Sequence, residues 1–498
     1  MQRTSILFCL VAAVAWVFAD ISVSTLDPWQ ELGQMARGLV APDFFSLPGL
    51  GRALVNTLSF ALIGMTAAVA LGAVLSQFFY LAPVRLFCAF IRAVHELFWA
   101  FIFMPVIGLN SLCGILAIAL PYAGVLAKVY AEIRQEADPA PAQALPPGTG
   151  RITAFVYATL PQIYPALKTY TAYRFECALR SSAILGFIGL PTLGYHLETA
   201  FREGNYHEAA ALLYIFYLVI LSLRFWARAK IIILPILAAL FLTAWDTAFS
   251  LENTVRFFTY DILPWPMRAQ GFYEGTRAIA FDPGSIFSWA GQVFSSQALP
   301  GIWHTLLLTQ IALVLTAVFT LAVFAPASRT FFSSRVTRPV HLALVILRTT
   351  PEYILAYAGL LLWGPSMLPA IVALFLHNGG ILAYLTARNT DLMALPFDAP
   401  VKRINRYFYE VLPRCYGGFL AFLFYRWEII MRESAILGIL GITTLGHYID
   451  SAIAKDHLDT ALFLILITAA MNMGVDTLSQ HIRARLKISA HVTGVPGG

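Results

Sequence analysis

Charge is what this sequence has least of. Of its 498 residues only 12% are Asp, Glu, Lys or Arg, while 59% are hydrophobic. Soluble domains carry about a quarter charged residues. The chain therefore reads as a polytopic membrane protein, and a domain count from length does not apply. Cysteine is also scarce. Cys9, Cys88, Cys113, Cys177 and Cys415 lie scattered in or beside apolar runs, with no CxxC and no disulfide framework, so free thiols are expected. No GxxxxGK[ST] loop occurs, which excludes ATP hydrolysis by a P-loop of its own. There is no GxSxG. His95, His196, His207, His341, His377 and His447 show neither HExxH nor metal-ligand spacing. Enzyme chemistry, a cofactor and a metal are not expected, and the net charge of +6 belongs to membrane topology rather than to nucleic acid.

What the sequence does have is a duplication. Residues 173–200 read YRFECALRSSAILGFIGLPTLGYHLETA, and residues 425–452 read YRWEIIMRESAILGILGITTLGHYIDSA. The offset is a gap-free 252 residues, and half of the positions are identical. Other landmarks recur in the same order. Arg92-x-x-x-Glu96 matches Arg348-x-x-x-Glu352, Gly124-x-Leu126-Ala127 matches Gly380-x-Leu382-Ala383, and Leu160-Pro161 matches Leu412-Pro413. Such a repeat divides the chain into two fused halves, residues 1–228 and 229–498.

A spanning helix needs roughly 20 mostly apolar residues. Candidates are 4–20, 54–80, 90–109, 112–130, 161–181 and 207–226, then 229–249, 302–325, 341–363, 367–387, 413–433 and 459–478. The expected fold is all-α, with about 12 transmembrane helices in two parallel six-helix repeats. Residues 1–19 have the look of a signal peptide, but 229–249 is a similar run inside the chain, which favours a first span. Lys and Arg in short loops put both termini in the cytoplasm. The long loop 250–300 then lies outside and packs over the outer mouth, while 131–160 and 388–412 are the longest inward loops. Both inward loops end on Leu-Pro, and proline is tolerated in a first helical turn.

The residues that carry chemistry sit in the repeat. Arg174 lies 13 residues past Pro161, roughly 20 Å along a helix and so at membrane depth. Glu176 and Arg180, like Glu428 and Arg432, have the i, i+4 order that favours an ion pair. One reading makes these pairs structural. The other leaves Arg174 and Arg426, which have no helical i+4 acid, as charges lining a pathway for an anion. Arg92 with Glu96 and Arg348 with Glu352 form a weaker i, i+4 order, fit for a structural or gate-linking pair. The glycines Gly186, Gly189 and Gly194, and Gly438, Gly441 and Gly446, fit either a tight helix crossing or a flexible gate.

The order Arg-x-x-x-Glu, Leu-Pro, Tyr425-Arg426-Trp427-Glu428, then Arg432-x-Ser434-x-x-Leu437-Gly438-x-x-Gly441 resembles the permease subunit of phosphonate/phosphite-type ABC importers, within the type I importer fold. The first half matches through Arg92, Glu96, Leu160, Pro161, Tyr173, Arg174, Glu176, Arg180, Ser182 and Gly186. The resemblance implies a separate ATPase dimer on the cytoplasmic side and a periplasmic or extracellular solute-binding protein. It also implies a bacterial inner-membrane location and two inward loops that act as coupling helices. The coupling residues it points to are Gln143, Ala144, Leu145, Gly148, Leu160 and Pro161, then Ala394, Leu395, Leu412 and Pro413. The second loop lacks the family's Glu and Gly, and Pro146, Pro147, Pro396 and Pro400 interrupt both loops. Family permeases pair two half-length chains, whereas here one polypeptide is expected to complete the pore. An ion-coupled secondary transporter with two parallel halves is the alternative.

Overall fold

The computed structural model describes residues 1–486 apart from 26, 48, 229–230, 246–249, 269–278, 280, 397–399 and 401. Among the described residues there are helices and no strands. Hydrocarbon offers no water to satisfy a backbone, so an apolar run closes its own hydrogen bonds as a helix. In chain order the helices used below are α1 (Gln2–Phe18), α2 (Leu50–Gln77), α3 (Ala82–Ala93), α4 (Glu96–Ile107), α5 (Ser111–Gln135), α6 (Leu160–Ile184), α7 (Leu193–Arg202), α8 (Tyr206–Trp226) and α9 (Ile233–Leu242). The second series is α10 (Leu299–Ala327), α11 (Ser334–Thr349), α12 (Glu352–Trp363), α13 (Met367–Asp391), α14 (Leu412–Leu437), α15 (Leu445–Ala454) and α16 (Leu458–Leu486).

Each of the twelve expected spans contains a helix. Among the described residues, six helices are long and apolar enough to cross a membrane, or up to nine if each of three bent pairs is one span. The remaining expected spans fall to α14, α1 and α9. At 26 residues α14 is roughly 39 Å long, but five charged residues lower its apolarity. α1 and α9 are apolar but only 17 and 10 residues long.

Two expected spans are not straight. The 90–109 run is the pair α3 and α4, and the 341–363 run is α11 and α12, each bent by 93°. At the second break Pro351 restricts the residue before it to extended backbone, and Thr350 has ψ 120°. At the first break His95 is extended, and its Nδ1 accepts the Leu97 N–H at 3.1 Å, capping α4. Arg92 and Glu96 therefore sit on different helices, as do Arg348 and Glu352. Neither pair shares one straight helical face, as the i, i+4 spacing had suggested.

Packing divides the chain into two compact units, one of Gln34–Phe257 and one of Met1–Gly33 with Phe258–Thr493. The leading helix of each half thus belongs with the other half's helices. α9 packs on α2. α1 packs on α10, with the Phe8 ring edge-on to Phe424 at 5.3 Å and to Trp427 at 5.2 Å. Gln310 Nε2 donates to the Phe8 carbonyl at 3.2 Å, and the Met367 N–H to the Asp20 carbonyl at 2.8 Å. The second unit's core is formed by Leu307, Leu308, Ile371, Leu374, Phe424, Trp427 and their neighbours.

Candidate functional site: a duplicated buried polar node

Each unit holds a small polar cluster in its apolar interior, at equivalent positions of the repeat. In the first unit Glu96 opens α4, Tyr122 lies on α5 and Ser181 on α6, all buried. The Ser181 hydroxyl donates to Glu96 Oε1. That hydroxyl has one proton to give, so Tyr122 donates to Ser181 Oγ, at 3.0 Å. His95 Nε2 stands 3.5 Å from Glu96 Oε2. In the second unit the same positions carry Glu352 on α12, Asn378 on α13 and Glu433 on α14. Asn378 Nδ2 donates to Glu433 Oε2 at 2.8 Å, and His377 Nε2 lies 3.9 Å from Glu352 Oε2.

The two sequence-marked arginines are both buried, Arg174 at 7% and Arg426 at 8% exposure, but they are held differently. Arg174 Nε donates to Tyr170 Oη at 2.8 Å, and the guanidinium lies over the Tyr170 and Tyr173 rings at 5.2 and 5.5 Å. Arg426 Nη1 donates to Asn378 Oδ1 at 3.3 Å and so joins the polar node. Arg180 reaches Cys177 Sγ at 3.4 Å. Glu176, Glu428 and Arg432 are half-buried on the same two helices.

The glycine segments turn the chain back into the fold. α6 leads through a break of 53° into α7. A Cβ on Gly194 would lie 1.8 Å from the Ala183 carbonyl oxygen, and one on Gly446 would lie 1.9 Å from that of Ala435. Gly186 and Gly438 face the same crossings, and Gly189 and Gly441 take φ of +91° and +86°. The helix that follows is capped from outside the segment: Thr57 Oγ1 accepts the Leu193 N–H at 2.9 Å, and Thr305 Oγ1 accepts that of Leu445 at 3.1 Å. Asn56 and His304 bond the Pro191 and Thr443 carbonyls at 2.9 Å each. A close backbone crossing thus explains the glycine spacing in both copies.

The first turn of each half's last helix, α8 and α16, anchors an earlier stretch of chain at one repeat position with opposite polarity. In the first unit His207 Nδ1 bonds the Ala41 carbonyl at 2.7 Å. Beside it the Phe45 and Ser46 N–H groups hold the Asp43 carboxyl below its ordinary value. In the second unit Asp459 accepts the Trp265 N–H at 2.7 Å and the Arg268 guanidinium at 3.2 Å. Residues 269–278 and 280 of the long loop lie outside the described residues.

Of the resemblance-derived coupling residues, Ala140–Gln143 is a single helical turn capped by Ala144, and Gly148 has φ of +91°. Leu395 and Leu412 pack against the cluster around Phe324, Phe331 and Tyr407. Leu160-Pro161 and Leu412-Pro413 begin α6 and α14, as expected, and each follows a π-helical turn, Phe155–Thr159 and Arg406–Val411. Residues 397–399 and 401 of the second loop lie outside the described residues. Sequence reading missed the exposed apolar residues just before these helices. Tyr157 is 76% exposed and Tyr409 77%, and Ile152 and Ile404 are equally open. All four recur at the 252-residue offset, a signal that was available in the sequence.

A helical membrane protein built from two copies of one unit, each with a buried arginine, a polar node and a glycine-locked return, is a duplicated transport permease. The chain belongs to the phosphonate/phosphite transport permease family. It is 30% identical over 114 residues to the putative cryptic phosphonate transport system permease protein PhnE2 of Escherichia coli, covering 23% of this chain and 93% of that protein. It is 24% identical over 516 residues to the phosphate-import permease protein PhnE of Mycolicibacterium smegmatis, covering 95% of this chain and 92% of that one. With the phosphite transport system permease protein PtxC of Stutzerimonas stutzeri it shares 28% identity over 234 residues, 45% of this chain and 84% of the relative. One relative thus spans both halves, and another is matched along most of its length by less than half of this chain. No family model matches the chain, and no solved structure matches it.

Proposed function

We propose that this chain forms the translocation pathway of an ABC importer for a small phosphonate-, phosphite- or phosphate-like oxyanion. A separate ATPase dimer on the cytoplasmic side drives it, and a solute-binding protein outside supplies it. The chain then lies in the bacterial inner membrane with both termini cytoplasmic, and it hydrolyses no nucleotide itself. The observation that carries this reading is a relative named for phosphate import aligned over 95% of the chain. The residues agree with it. Arg174 and Arg426 are intramembrane guanidinium groups at duplicated positions, and the planar fork of Arg suits oxyanions.

Glu176, Arg180, Glu428 and Arg432 border the solute's path in this proposal. The glycine returns, Gly186 to Gly194 and Gly438 to Gly446, act as its gate by moving as locked units. Docking of the ATPase dimer falls to the two inward loops, through Gln143, Ala144, Leu145 and Gly148 on one side and Ala394 and Leu395 on the other. Their motion passes into α6 and α14 at Leu160-Pro161 and Leu412-Pro413.

The test is Arg174→Ala combined with Arg426→Ala. ATP-dependent uptake of phosphite, phosphonate and phosphate should fall to background while the protein still inserts and binds its ATPase. Unchanged uptake would remove both arginines from the pathway.

A further inference from the structure

The long loop 250–300 closes a cleft in the second unit. The cleft has a volume of about 530 Å³ and lies between the loop helix Pro283–Val293, the return helix α15 and the start of α16. Trp265, Trp289 and Tyr448 give it aromatic walls, and Gln297 and Lys455 give it polar groups. We propose that this cleft recognises the organic substituent of the solute, so that the chain selects an organophosphonate over inorganic phosphate or phosphite. The inference rests on the transport reading for the phosphorus group of the ligand.

The cleft is too large and too apolar for a bare oxyanion. Sites of roughly 300–1,000 Å³ with apolar walls and a few polar groups suit organic molecules. Both indoles are held in place as fixed surfaces. Trp289 packs against Phe463 of α16 with ring centroids 5.5 Å apart, and the Arg268 guanidinium lies over Trp265 at 5.6 Å. Indole faces favour a stacked ring or an alkyl chain, neither of which phosphate or phosphite has.

The polar groups call for an anion. Asp459 also lines the cleft, but its carboxylate is taken up by the Arg268 guanidinium at 3.2 Å and the Trp265 N–H at 2.7 Å. The side chains of Lys455, Tyr448 and Gln297 have no hydrogen-bond or ion-pair partner among the described residues. An ammonium without a counter-ion, a hydroxyl and an amide are thus left to donate to the occupant of the cleft. The repeat supplies the control. At the position of Lys455 the first half carries Glu203, and the indoles come from a loop whose first-half counterpart, residues 21–53, is shorter. The site therefore belongs to one half alone. The loop helix turns Trp289 to the cleft and leaves Phe287 and Phe294, 77% and 43% exposed, on its other side. With its apolar back to lipid, its cleft side is open to a solute from water. α15 follows the end of α14 away from Leu412-Pro413, so in the proposed orientation the cleft is on the outer side, where the solute arrives.

The experiment measures equilibrium binding of phenylphosphonate to the purified full-length chain in lipid nanodiscs, without ATPase or binding protein. Binding should be saturable and not competed by equal concentrations of phosphate or phosphite. Lys455→Glu, which places the first-half residue there, and Trp289→Ala should each weaken it about tenfold or more while the protein stays monodisperse. If one variant fails to fold, the other decides. Absence of saturable binding, phosphate binding as tight as that of phenylphosphonate, or variants that bind like wild type would overturn the proposal. A phospholipid headgroup has related chemistry, and stoichiometric lipid that co-purifies, is lost in both variants and is not displaced by phenylphosphonate would overturn it too. None of these results requires uptake, so failure of the cleft and failure of the transport reading are told apart.

Discussion

At the scale of single residues, the repeat makes each half a control for the other. Glycine shows this most simply. Gly194 and Gly446 sit where a methyl group would collide with a carbonyl oxygen, whereas Gly474 on α16 has nothing within 4 Å. Gly446→Ala should lower stability by about 1–3 kcal/mol through overpacking, read as a fall in the melting temperature of the purified protein. Gly474→Ala, with open space around it, should hold or raise stability, by up to about 1 kcal/mol, since alanine is the better helix former. Equal effects at both positions would mean that the crossing at Gly446 is not closed in the folded protein. The glycines and both arginines were legible in the sequence because duplication picked them out of an apolar background. The polar node was not. Tyr122 became Asn378 and Ser181 became Glu433 between copies, so identity hides what position preserves. Only the packing of three helices brings those positions together.

At the scale of elements, the twelve apolar runs were readable from hydropathy, since each must bury its backbone polar groups in its own helix. Their bends were less so. The 93° breaks before Glu96 and Glu352 follow from two extended residues each, Val94–His95 and Thr350–Pro351, and hydropathy is blind to backbone torsion. The sequence reading looked for ATPase contacts in Gln143-Ala144-Leu145, yet the largest apolar side chains left open nearby are Tyr157 and Tyr409, on the π-helical turns feeding α6 and α14. Wide turns of this kind often mark functional sites. If these turns dock the ATPase, Tyr157→Asp with Tyr409→Asp should abolish co-purification of the ATPase while the permease itself stays monodisperse. Undiminished co-purification would place the docking surface elsewhere in the loops.

At the scale of the whole molecule, the chain is two copies of one permease unit, each with its own buried charge, node and return. The duplication was legible from the sequence, but the affiliation of α1 and α9 was not, and packing divides the chain at Phe257 rather than at residue 228. An apolar helix records that it is buried, not which neighbours bury it, and it is the contacts of Phe8 with Phe424, Trp427 and Gln310 that show which unit α1 joins. That the relatives include half-length chains fits a fusion in which the separate subunits became one polypeptide. The central claim is that this one chain, with an ATPase, imports a phosphorus oxyanion. Its most direct test is uptake of labelled phosphite, phosphonate or phosphate into proteoliposomes holding this chain, its ATPase and its binding protein. Accumulation should require ATP and be indifferent to collapse of the proton and sodium gradients. Uptake by the chain alone, driven by an ion gradient without the ATPase, would contradict it.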